Sequence, residues 1–163
     1  MQGMLRHCRE ESREAIMDLR GGLLEKMDLP AALRKELPVL VEECRAKLEV
    51  TVTGEIRRFQ AKAERHIFRI AKEAVTNAVR HASPSNIEVE LHFRPKAFEL
   101  LIEDDGIGFE VERLSKSERF GLQGMRERAN RVQGLIEIKS SRGQGTLVRL
   151  ELTSTVEWEL KQG

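Results

Sequence analysis

The chain has no tyrosine, one tryptophan and only six phenylalanines among its 163 residues. So few flat rings argue against a protein that reads single-stranded nucleic acid by stacking its bases on aromatic side chains. Cysteine is scarce as well. Cys8 and Cys44 sit in helical patterns with no C-x-x-C pair, which argues against a disulfide framework or a zinc site and suits small buried apolar groups. Neither sign of charge is in excess, with 28 Lys and Arg against 27 Asp and Glu. Nothing in that balance points to nucleic acid or to an anionic membrane. No apolar run approaches the ~20 residues of a spanning helix, and the start lacks a signal-peptide pattern. What is left is a chain 40% hydrophobic and 34% charged, long enough for one full domain plus an appendage.

Two stretches organise it. In Glu73-Ala-Val-Thr-Asn-Ala-Val-Arg-His-Ala82 and the residues before it, Ile67, Ile70, Ala71, Ala74, Val75 and Ala78 recur at intervals of three and four, the spacing of a buried helix stripe. Glu73, Asn77, Arg80 and His81 form a second stripe, because positions three and four apart share a face. A carboxylate, a carboxamide and a guanidinium at the edge of a core suit a divalent cation with phosphate oxygens better than plain solvent. The other stretch, Glu103-Asp-Asp-Gly-Ile-Gly-Phe109, closes an apolar strand with two aspartates and a glycine turn, where glycine allows positive φ and close approach of backbone to a ligand.

In chain order, residues 4 to about 27 carry a heptad-like seam through Leu5, Cys8, Ser12, Ala15, Leu19 and Gly22. It reads either as a surface helix docked on the domain or as half of a dimerising hairpin, weakened or ended at Gly21-Gly22. Leu29-Pro30 opens a new helix, which Pro38 is expected to kink or split. Residues 48–53 alternate as a strand closed by Gly54. The motif helix is expected over 61–82, stopped by Ser83-Pro84-Ser85. Strands follow on either side of the turn Arg94-Pro-Lys-Ala97. Residues 110–120 are polar and without period, either a plain surface loop or a lid; their place between two glycine motifs favours the lid. A helix over about 121–132 ends at Gly134, and a hairpin of two strands, 135–139 and 146–152, completes the domain. Residues 154–163, with Trp158, are left open as a disordered or docked tail. The order predicts an α+β two-layer sandwich, a mixed and mostly antiparallel sheet with helices on one face, preceded by an N-terminal helix.

Taken in order with Gly121-Leu-Gln-Gly-Met125 and Gly143-Gln-Gly-Thr146, the two motifs resemble the Bergerat-type (GHKL) ATP-binding fold. Sensor histidine kinases, type II topoisomerases, Hsp90-like ATPases and anti-sigma-factor serine kinases share it. The resemblance implies ATP and Mg²⁺ as cofactors. Asn77 is then the Mg²⁺ ligand, a neutral carbonyl oxygen for a hard cation that keeps several waters. Glu73 orients a metal-bound water or acts as a base, and Arg80 grips phosphate. His81 is either a nucleotide contact or a helix-end cap. Asp104 accepts a hydrogen bond from the adenine amino group, with Gly106 and Gly108 letting the chain pass close to base and sugar. Asp105 is a turn residue, and Ile107 and Phe109 either wall the base pocket or belong to the core. Gly121, Leu122, Gly124 and Met125 belong to the phosphate region, where Gly124 opens a helix whose N-terminus favours anions. Thr146 bonds to Asp104 or to a water.

Within that superfamily Phe120-Gly-Leu-Gln-Gly-Met-Arg-Glu-Arg-Ala129 is similar to the G-L-x-G-M-x-E-R motif of histidine kinases of the nitrate-sensor class. Such kinases pair with response regulators carrying a helix-turn-helix output domain and act as homodimers. The resemblance divides the chain into residues 1–28, the second helix of a dimerisation and phosphoacceptor hairpin; 29–153, the ATP-binding catalytic domain; and 154–163, a tail. It implies a cytoplasmic setting, with no contact to nucleic acid or membrane. One departure matters. No H-[DE] acceptor motif is present, and His7, in Arg-His-Cys-Arg, lies at the wrong end of the second helix. The chain is therefore expected to bind ATP without phosphorylating itself efficiently, the acceptor histidine lying on a missing helix. An anti-sigma-factor serine kinase shares E-A-V-T-N-A-x-x-H but not the Gly-Met-Arg-Glu-Arg helix. A scaffold without nucleotide binding would not need an intact Asn77, Asp104 and glycines.

Overall fold

The alternating segments all become strands. The computed structural model describes residues 22–42, 44–110 and 113–153, and the backbone of 158–159. Within it β1 (Lys47–Thr53), β3 (Asn86–Arg94), β4 (Ala97–Asp104), β5 (Leu135–Ser140) and β6 (Thr146–Thr153) make one sheet in the order β1-β3-β4-β6-β5. β1 and β3 pair in parallel, joined by a helical crossover as parallel neighbours require, and the other pairs are antiparallel. Period two sends Ile87, Val89, Leu91, Phe98, Leu100, Ile102, Leu150 and Leu152 to one face, where all are buried, and leaves the charged residues on the other.

Four α-helices are described: α1 (Leu23–Lys26), α2 (Leu29–Val41), α3 (Ala61–Asn77) and α4 (Lys116–Arg131). α3 buries the stripe expected of it, with Ile67, Ile70, Ala71 and Val75 fully covered. α2 starts at Asp28, whose side chain accepts the Ala31 amide at 2.9 Å, with Pro30 in the first turn. Pro38 neither kinks nor splits it. The proline is exposed and sits within a turn of the C-terminus, so the missing N–H removes one bond near the end and the helix runs on to Val41.

A second, two-stranded sheet pairs β2 (Arg58–Phe59) with β7 (Trp158–Glu159), within stretches read from sequence as a connection and an undecided tail. Phe59 enters the core edge-on to Phe98, at 5.0 Å and 74°. Beside it Glu64, wholly buried, takes both Arg58 Nε and Nη2 at 2.8 Å and the Phe59 amide at 3.1 Å. Arg58 Nη2 also donates to the Leu24 carbonyl at 2.6 Å. A bidentate pair with its remaining oxygens satisfied is what makes a buried carboxylate tolerable, and this one ties α1, β2 and α3 together.

One boundary is corrected. α4 begins at Lys116, five residues before the expected start near 121, because Ser115 and Glu118 form a capping box with reciprocal bonds at 3.3 and 2.7 Å. That arrangement satisfies two amides at the helix start. The leading seam as far as residue 21 and most of the tail lie outside the described residues.

Candidate functional site

A cavity of about 530 Å³ opens between the end of α3, the turn after β4, and α4. Its size falls in the range of roughly 300–1,000 Å³ typical of small-molecule sites. Asn77 and His81 line one side, Asp104, Gly108 and Thr146 the other, and Leu122 and Met125 the α4 wall. The two organising stretches therefore meet at one hollow.

The helix side departs from ideal winding. Residues Ala78–Ala82 continue α3 as a π-helical turn, ended by Ser83 at φ 47°. Such a turn bonds i to i+5 and is frequent at functional sites. Ordinary winding would set Arg80 beside Asn77. The wider turn brings His81 to the cavity, while Arg80 is exposed and absent from the lining. His81 Nδ1 lies 3.4 Å from Glu118 Oε1 on α4. Glu118 is held below the usual carboxylate range first by its bonds to Ser115, with His81 adding a smaller pull.

Glu73 and Asn77 sit where α3 packs on α4. A methyl group placed on Gly121 would lie 2.4 Å from Glu73 Oε1 and 3.6 Å from Asn77 Nδ2. Gly121 thus lets the two helices close on the carboxylate. Gly124 likewise makes room for the Arg128 guanidinium, 2.8 Å from an added Cβ. Both glycines lie inside α4, so the expectation that Gly124 opens a helix is corrected. The N-terminus is at Ser115, and the amides of residues inside a helix are used by its own ladder.

Asp104 is buried, with Oδ1 accepting the Gly106 amide at 2.9 Å. Thr146 stands opposite it in the β4–β6 register and hydrogen-bonds its carboxyl. Burial pushes the Asp104 pKa up, against the pull of those bonds. Asp105 has a different task. It accepts the Ser85 and Asn86 amides at 2.7 and 2.8 Å and the Asn86 side chain at 2.8 Å, which hold its pKa down. Gly106 lets the turn close on the π turn, since a Cβ there would come within 2.4 Å of the Ala82 carbonyl, whose oxygen accepts the Ile107 amide at 2.9 Å. Gly108 has φ +62°, and a side chain would strike the Ser141 carbonyl. Ile107 is 60% exposed on the cavity rim, while Phe109 lines the cavity and packs on the core.

Other residues were not foreseen. Glu110, Arg113 and Arg142 also line the hollow, Glu110 pairing with Arg113 at 2.8 Å and approaching Arg142 at 4.0 Å. Ser140, a strand-end residue with no motif to mark it, bonds to three parts of the site wall.

The profile of the family described as "Histidine kinase-, DNA gyrase B-, and HSP90-like ATPase" matches residues 62–156. The chain belongs to this family of ATPases. This ATPase-family chain is 29% identical over 157 residues to the signal transduction histidine-protein kinase/phosphatase DegS of Brevibacillus brevis, covering 96% of itself and 40% of that protein. To the nitrate/nitrite sensor protein NarQ of Escherichia coli it is 36% identical over 132 residues, covering 80% of itself and 23% of that protein. It spans less than half the length of these relatives. Its fold is that of the histidine kinase domain from the Erythrobacter litoralis EL346 blue-light activated histidine kinase. The TM-score is 0.61 at 19% identity, over 78% of this chain and 61% of that one.

The hollow also fits the cofactors the family implies. It takes a molecule of nucleotide size, and the Asn77 carboxamide faces it with the Glu73 carboxylate close by. Among the described residues no cluster of three or more His, Cys, Asp or Glu makes a metal cage. A cation held mostly by phosphate oxygens and water, as Mg²⁺ commonly is, needs only one or two protein ligands.

Proposed function

We propose that the chain is the ATP-binding catalytic part of a two-component sensor histidine kinase. It would transfer the γ-phosphoryl group to a histidine on a hairpin helix this chain lacks, for relay to a response-regulator aspartate. The observation that carries this reading is the single cavity joining Asn77 and His81 to Asp104 and Thr146. Asp104 supplies a carboxylate acceptor for the adenine amino group, Gly106 and Gly108 let the base and sugar approach, and Leu122 and Met125 give an apolar wall. Asn77 would hold Mg²⁺, which neutralises charge on the phosphates. Glu73, beside it, orients water or takes a proton. Arg80 would reach phosphate only outside the hollow, which leaves His81, Arg113 and Arg142 as the polar and cationic groups nearer to it.

Phosphoryl transfer asks a protein for positioning and charge neutralisation rather than covalent chemistry. A buried acceptor and a preset metal side chain supply both. In this reading the chain works as part of a homodimer at the cytoplasmic side of a sensor, and its regulator carries a helix-turn-helix output domain.

Calorimetric titration of an ATP analogue with and without Mg²⁺ tests the site. Asn77→Asp should abolish metal-dependent binding while the far-ultraviolet circular dichroism stays unchanged; undiminished affinity would remove the metal assignment. Labelled ATP with a separately supplied histidine-bearing hairpin tests the reaction.

A further inference from the structure

We infer that Ser140 is a positioning residue that sets the purine preference of the site through Thr146. The inference rests on the proposed role of Asp104. Asp104, Thr146 and Ser140 lie in one row across β4, β6 and β5, since Thr146 pairs in register with both of the others. Ser140 Oγ stands 2.9 Å from the Gly145 carbonyl and 3.0 Å from Thr146 Oγ1, and it accepts the Phe109 amide at 2.8 Å.

A hydroxyl has one proton to give. The Phe109 amide only donates, so it fills an acceptor position on Ser140 and anchors the end of the turn that begins at Asp104. Thr146 also has a single proton, and both Asp104 and Ser140 compete for it. When Ser140 donates to Thr146, that proton is free for Asp104, and the carboxylate is held ionised as a pure acceptor. Such a group pairs with an exocyclic amino group and repels a carbonyl in the same place. When Ser140 donates to Gly145 instead, Thr146 turns toward Ser140 and Asp104 loses its partner. Ser140 therefore governs both where the base-reading turn sits and which way the Thr146 hydroxyl points, without touching the nucleotide.

The test is calorimetry on Ser140→Ala, Ser140→Cys and Ser140→Thr with Mg²⁺ and a non-hydrolysable ATP analogue or its guanine counterpart, beside melting curves without nucleotide. Ser140→Ala should weaken the adenine analogue roughly tenfold, the effect of one net hydrogen bond, and the guanine analogue less, so that the ratio falls. Ser140→Thr, which keeps the hydroxyl, should restore the ratio. Ser140→Cys keeps the size with a weaker donor and serves if the alanine variant fails to fold. An unchanged ratio, equal loss for both bases, or a threonine variant as poor as alanine would overturn the inference alone. A wild-type chain that binds no adenine nucleotide would sink it together with the reading of the site.

Discussion

Gly121→Ala separates stability from function. The new methyl would arrive 2.4 Å from Glu73 Oε1, too close to coexist, but the atom it meets is the free end of a side chain that can swing away. Replacing glycine by alanine in a helix interior gains roughly 0.8–1 kcal/mol. Forcing the Glu73 carboxylate off its rotamer costs about 0.5–1.5 kcal/mol. The two nearly cancel, and the melting temperature should move by no more than about 3 °C. The displaced carboxylate should nevertheless cost phosphotransfer on the order of 10²–10⁴-fold if Glu73 acts as a base. Thermal denaturation of the variant and transfer from labelled ATP to a supplied hairpin give the two readings. Melting lowered by more than about 8 °C would mean that backbone, not a movable carboxylate, is being struck. Unimpaired transfer would remove Glu73 from the chemistry. Gly145→Ala is the control, because at φ +70° its methyl would overlap the Asp104 carbonyl of β4, and that backbone cannot step aside.

Three more outcomes are expected. Asp104→Asn should weaken the preference for adenine over guanine nucleotides, measured by competition binding. It should also stabilise the empty domain at neutral pH: burial raises the Asp104 pKa, so the ionised form opposes folding, and this contribution to stability is lost as pH rises through the folded value. Arg58→Ala should cost about 3 kcal/mol in chemical denaturation, since it leaves the buried Glu64 without its cation; a loss below ~1 kcal/mol would count against the clasp. The third concerns His66, whose ring nitrogens are both buried and without a hydrogen-bond partner among the described residues. Burial, with Arg131, Arg128, Arg69 and Lys62 adding to it, lowers its pKa from 6.5 to about 4. Folding favours the neutral ring, so this contribution is complete above about 6.5 and lost as the pH falls toward 4. Acid melting curves of His66→Phe should lack that limb.

Periodicity made most of the architecture legible. The stripe from Ile67 to Ala78 and the alternation in Ile87–Phe93 each had one buried face to satisfy, and strand, helix and sheet class followed from it. The two-residue strands β2 and β7 were too short to carry a period. The start of α4 was readable, because Ser115 and Glu118 stand at capping-box spacing, but the polar surroundings of that pair masked it. The misplacement of Arg80 has another cause: counting at 3.6 residues per turn assumes regular winding, and the winding changes after Asn77. Ser140 carries no local sign at all, since its importance arises only when three strands lie side by side.

The widened turn at 78–82 makes this wall of the hollow sensitive to spacing. A π turn holds one residue more than the regular coil would use there. Excising any one of those five residues would allow ordinary coiling, swinging whatever follows by about 100°. Exchanging side chains along Ala78–Ala82 should therefore be forgiven more readily than shortening it, and a single-codon deletion there should misdirect His81 while sparing the rest of the helix.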